Sequence, residues 1–109
     1  ARFHKVASYY SESMYTGGKW VTAAIEALGG EVDDREMLLA TLRAVKLTDL
    51  PRGQVELDVF GNPIENVYVR RVERVNGELQ NTVIDTFPRA SQFWKYNPAD
   101  YLEQPLYSR

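Results

Sequence analysis

The 109-residue sequence contains no cysteine and a single histidine, His4. The first absence excludes disulfide stapling and thiolate metal sites, although it does not fix a cellular compartment. The second leaves little for nucleophilic catalysis, because no serine, threonine or carboxylate near His4 in sequence suggests a triad. An excess of positive charge is lacking too. Thirteen basic residues against fifteen acidic ones give a net charge of −2 and a pI near 5.4, which provides no basic footprint and argues against a nucleic-acid partner. No apolar run approaches the roughly 20 residues that span a bilayer. The amino terminus, "ARFHKVASYY", has neither the apolar centre nor the cleavage pattern of a signal peptide, and it has no initiating Met. The sequence start therefore reads as a processing or expression boundary. There is no internal repeat and no low-complexity segment.

What is present suits one modest globular core: 12.5 kDa, 44% hydrophobic and 26% charged residues. "YTGGKWVTAAIEALGG" gives the strongest helical signal, with Val21, Ala24, Ile25 and Leu28 on one apolar face and Gly29-Gly30 where a left-handed cap forms. "SYYSESMY" extends this helix back towards Ser8. Gly17 and Gly18 then lie inside it, each costing about 1 kcal/mol against Ala, and close packing against another backbone is the expected reason for them. A second helix opens at "DDREMLLATLRAV", with Asp33 as cap, Glu36 reaching back, and Leu38, Leu42 and Val45 on the apolar face beside Leu39. It ends before Pro51, which holds Leu50 extended.

The period then changes to two. Val55, Leu57 and Val59 alternate with Gln54, Glu56 and Asp58 as a strand with one buried face. "FGNP" is a turn, "NVYVRRVERV" a second strand, Asn76-Gly77 a type I′ hairpin turn, and "ELQNTVIDTF" the returning strand. The remainder, with three prolines and five aromatic residues, is expected to wrap over a surface. It should form a short helical turn near "NPADYL" and be anchored by Phe93, Trp94 and Tyr96. The chain divides into a helical part (1–50), a strand and hairpin part (51–87) and a wrapping tail (88–109).

Few residues invite chemistry. Asp33 and Asp34 serve a helix cap better than a metal, which would need further oxygen ligands at regular spacing. Glu56 and Asp58 share a strand face, and Asp58 precedes a turn. "YTGGKW" is superficially similar to a phosphate loop, but it lacks the required glycine spacing and the hydroxyl after Lys19. Arg70, Arg71 and Arg74, with Glu73 among them, read as a solvated, edge-protecting face. Seven tyrosines, two tryptophans and four phenylalanines are more suggestive: Tyr9, Tyr10 and Tyr15 gather just before the main helix, where amphipathic rings suit a cleft for a small solute. The residues point to an α/β chain that is not an enzyme, with no catalytic residue, no metal and no cofactor.

The order of these signals resembles the carboxy-terminal part of the type I periplasmic substrate-binding proteins of branched-chain amino acid type ABC importers. The resemblance rests on the helix Tyr15 to Gly30, the helix opening at Asp33 to Glu36, and Gly53, Val55, Asp58, Gly61 and Asn62 followed by the strand Val67 to Val75. The tail "QFWKYNPADYLEQPLYSR" is also similar to tails in that family. The resemblance implies a segment of a two-lobed α/β receptor, about three times longer, that closes on an amino acid or related small carboxylate. It further implies a periplasmic location, a membrane permease as partner, and ligand contacts at Tyr10 and Tyr15. A sensing module of an amide-type regulator, with the same fold, and a small independent interaction domain are the alternatives. Apolar faces and strand edges left uncovered in a segment imply self-association of the isolated chain, most simply as a dimer.

Overall fold

A computed structural model describes residues 7–106; His4 lies outside them. The elements are α1 (Tyr9–Ala27), α2 (Arg35–Ala44), β1 (Glu56–Leu57), β2 (Pro63–Val75), β3 (Glu78–Ala90) and α3 (Pro98–Glu103). The strands form one antiparallel sheet in the order β1-β2-β3, and the expected α/β class holds.

Both ends of α1 follow local chemistry. The Ser8 backbone N–H donates to Ser11 Oγ at 2.8 Å while Ser11 N–H donates to Ser8 Oγ at 3.3 Å, a reciprocal cap that satisfies two otherwise orphaned donors. At the other end Gly29 and Gly30 take φ of 60° and 89°. Their N–H groups donate to the carbonyls of Glu26 and Ile25, each at 3.0 Å, which is the Schellman closure that two glycines permit.

The buried face of α1 differs from expectation. Ala24 is buried as anticipated, but Val21 and Ile25 are exposed and Trp20 takes their place. Trp20 lies about 100° round the helix from Val21, and its indole N–H donates to the Leu42 carbonyl at 2.8 Å. That bond lets the largest ring enter the core without stranding a polar atom. Trp20, Leu50 and Val55 are the buried centre, with Leu42, Val45, Leu47 and Leu57 packed around them. The close approach expected at Gly17 and Gly18 is not found among the described residues: a Cβ at either would meet nothing within 4 Å.

The cap of α2 is Asp34, not Asp33. Its Oδ1 accepts from the Met37 N–H at 3.0 Å, so the helix starts one residue later with the same chemistry. The first strand is also shorter than its alternation suggests. Val55 is buried and bridges Leu47, but Val59 is 91% exposed. Asp58 is responsible, because its Oδ1 accepts from the Phe60 and Asn62 N–H groups, each at 2.9 Å. That turn, with Gly61 at φ 84°, ends the pairing before Val59 can face inwards. Burial disfavours the Asp58 charge, yet hydrogen bonds from Asn62, Gln92 and Phe60 hold its carboxyl below the usual value.

The hairpin is as expected. Val75 pairs with Glu78, and Asn76 and Gly77 both have positive φ, 51° and 87°, as a type I′ turn demands. The two long strands run 13 residues each, further than their apolar cores indicate. In the tail, α3 is capped by Asn97. Phe93 is the buried anchor, packed on Phe60 at 5.5 Å and Tyr101 at 5.7 Å between ring centroids. Trp94 rests on Phe87 but, like Tyr96, stays more than half exposed, so the expected three-ring anchor reduces to one.

Glu56 fastens three segments together. Its Oε2 lies 2.9 Å from Lys46 Nζ, and its Oε1 meets the Arg89 guanidinium. Arg89 itself has φ 51°, a conformation costly for a residue with a Cβ and held here by the ion pair and by its N–H donating to Asn66 Oδ1 at 3.1 Å. The hydrogen bond from Lys46, then that from Arg89, keeps the Glu56 carboxyl below the usual range. The stabilisation is complete above the unfolded-chain value of about 4.3 and is lost as pH falls through the lower folded value. Glu56→Gln should therefore lower the thermal midpoint at neutral pH, and the gap to wild type should narrow as pH falls from neutral to below about 4.3. A gap constant across that range would contradict this role.

Candidate functional site

The start of α1, the Pro51-Arg52 corner and the base of the hairpin enclose a half-open groove of about 650 Å³, within the range of small-molecule sites. Ala7, Ser8, Tyr9 and Glu12 form one side; Glu65, Asn66, Val67, Tyr68 and Arg70 from β2, with Asn81 from β3, form the other.

Arg52 holds the two sides together. Its Nη1 donates to Glu65 Oε1 at 2.5 Å and its Nη2 to Glu12 Oε2, and the guanidinium carbon lies 5.0 Å from the centroid of the Tyr9 ring. The Arg52, Glu12 and Glu65 side chains are only 16%, 16% and 23% exposed. Burial disfavours the guanidinium charge, but the bonds and charges of Glu65 and then Glu12 outweigh it, leaving Arg52 above its usual value. Glu12 is oriented further by Thr16, whose Oγ1 donates to Oε1 at 2.7 Å.

Tyr68 closes the base. Its hydroxyl donates to the Arg52 carbonyl at 2.8 Å and accepts from Asn66 Nδ2 at 3.2 Å. Gly53, at φ 90°, makes room for this pair: a Cβ there would come within 2.8 Å of Asn66 Nδ2. The site is thus a corner with two aromatic rings, two arginines of which Arg52 is neutralised, two amides and an open mouth. It has no nucleophile–base pair, and among the described residues no group of three His, Asp or Glu side chains could hold a metal. Also among the described residues, no helix is long and apolar enough to cross a membrane.

Of the tyrosines singled out in the sequence, Tyr9 lines the groove. Tyr10 is 79% exposed and meets Tyr9 edge-on at 5.7 Å. Tyr15 is 53% exposed, with Lys19 Nζ 5.6 Å from its ring centroid. The structure does not bring these two together, because five residues turn a helix by about 140° beyond a full turn. Sequence reasoning missed Arg52, Glu65, Asn66 and Tyr68. Only the Pro-Arg-Gly corner signals them, since Glu12 and Arg52 are 40 residues apart.

Solved structures share this fold. An ABC transporter substrate-binding protein from Sphaerobacter thermophilus superposes with a TM-score of 0.69 at 32% identity, over 72% of this chain and 22% of that one. The chain is a segment of the ABC-transporter substrate-binding-protein fold. A solute-binding protein from Rhodopseudomonas palustris, solved with 4-hydroxybenzoate, matches at 34% identity with a TM-score of 0.65, over 76% of this chain and 22% of its own. Another from R. palustris BisB5, in complex with 3,4-dihydroxybenzoic acid, matches at 28% identity with a TM-score of 0.68, over 83% and 23%. The segment therefore spans about a fifth of the length of these substrate-binding proteins. They are binding proteins rather than enzymes, in agreement with the non-enzymatic reading of the residues. No family model and no curated protein matches the chain.

Proposed function

We propose that this segment belongs to the solute receptor of an ABC importer, located in the periplasm, that captures a small aromatic carboxylate and presents it to a membrane permease. Capture is by closure around the solute, without covalent chemistry. The observation that carries this reading is the likeness, at 28–34% identity, to solute-binding proteins solved with benzoate, 4-hydroxybenzoate and 3,4-dihydroxybenzoate. Those ligands fall within the related small carboxylates expected beside amino acids, and they favour the aromatic members of that class. The groove suits that class. Tyr9 and Tyr68 offer rings for stacking, and Arg52, already matched by two carboxylates, is spent on structure rather than on the solute. Tyr10 and Tyr15, on different sides of α1 and outside the groove, are proposed as contacts that closure of the receptor would bring to the solute.

Calorimetric titration of the full-length protein carrying this segment tests the reading, with benzoate, 4-hydroxybenzoate and leucine as ligands. An aromatic acid is expected to bind at least about tenfold more tightly than leucine, a difference of about 1.4 kcal/mol. Equal or tighter binding of leucine would overturn the assignment to aromatic acids.

A further inference from the structure

The groove contains two arginines, and only one is engaged by acids. Arg52 is shared between Glu12 and Glu65. Arg70 has no carboxylate within ion-pair distance among the described residues; its guanidinium carbon lies 5.7 Å from the Tyr68 ring centroid, and its side chain lines the groove. The neighbouring arginines are engaged elsewhere. Arg71 pairs with Glu73 at 3.0 Å, and Arg74 donates to the Gly77 carbonyl at 2.6 Å. Neither lines the groove.

The sheet register fixes where Arg70 sits. Tyr68 and Arg70 are two apart on β2 and so share a face. Their cross-strand partners are Thr86 and Val83, and Asn81 joins the same face opposite Val72. The Tyr68 ring is held by its bonds to the Arg52 carbonyl and Asn66, and the Arg70 guanidinium lies over it within cation–π range. Such an arginine keeps its planar set of N–H donors for a second partner, and that geometry matches a carboxylate through two parallel bonds. Glu12 and Glu65 do not compete for it, because Arg52 occupies them.

We propose that Arg70 anchors the carboxylate of the solute, with the solute's ring lying along the wall formed by Tyr68 and Tyr9. This rests on the aromatic-carboxylate reading above and assigns it a residue. The test is calorimetry on the full-length protein carrying this segment, with benzoate and its neutral analogue benzamide, for wild type, Arg70→Gln and Arg70→Lys. Arg70→Gln should weaken benzoate about 10- to 100-fold, the usual range for a charged hydrogen-bond pair, and leave benzamide unchanged. Arg70→Lys should restore part of the loss. Unaltered benzoate binding by Arg70→Gln, or equal losses for benzoate and benzamide, would overturn the assignment while the function stands. If wild type binds neither aromatic ligand, the functional reading fails and the anchor with it.

Discussion

Arg52→Gln is expected to destabilise the full-length protein by about 3–5 kcal/mol, the cost of leaving buried charge without its partner. The substitution strands Glu12 and Glu65, which approach the same guanidinium from opposite sides of the groove and are mostly shielded from water. Neutralising both acids in the same variant, with Glu12→Gln and Glu65→Gln, should recover at least half of the loss, because no unpaired charge then remains. Urea denaturation of the two variants separates uncompensated charge from lost packing. If Arg52→Gln costs under about 1 kcal/mol, the range of exposed ion pairs, the clasp does not organise the groove.

The second large effect concerns the isolated 109-residue chain. Its accessible surface is 8876 Å², against about 6,200 Å² for a compact monomer of this mass. Its radius of gyration is 17.7 Å, against about 13 Å for a compact chain of similar length. Exposed apolar side chains contribute to the excess. Tyr10, Met14 and Val21 stand exposed along α1, and Val72, Leu79, Val83 and Ile84 along the hairpin arm, whose β3 edge has no further strand among the described residues. Such surfaces associate. We expect the isolated chain to sediment as a dimer or larger species at micromolar concentration. Val72→Lys with Ile84→Lys should shift it towards monomer by placing charge on the arm. A monomer at every concentration would mean that these faces need no cover. This segment is about a fifth of the length of the matched substrate-binding proteins, and the remainder of such a chain is the cover we expect for these faces.

Where the sequence could be read, the signal was local. Asn76-Gly77 and Gly29-Gly30 announce backbone conformations that only such residues adopt easily, and both were found as expected. Alternation misled at Val59, because Asp58 spends its carboxylate on the next turn and so ends the strand early. A signal for this was present in the Asp-x-x-Gly-Asn spacing. The apolar face of α1 was misplaced by one residue in the helical wheel, since periodicity alone does not weigh the partner that Trp20 finds in the Leu42 carbonyl. The groove was the least legible part. Glu12, Arg52 and Glu65 meet only in three dimensions, and nothing in their sequence neighbourhoods marks them as partners. No motif indicates the solute, and the proposal of an aromatic acid rests on the ligands of the structural neighbours.

The most direct test of the account is a crystal structure of the full-length protein grown with 4-hydroxybenzoate. The account predicts one aromatic acid enclosed in a cleft that this segment helps to wall, with Tyr68 and Arg70 at the solute. It also predicts that the exposed faces of α1 and the hairpin are covered by the remainder of the chain. An empty cleft under saturating ligand, or α1 and the hairpin still bare in the complete protein, would contradict it.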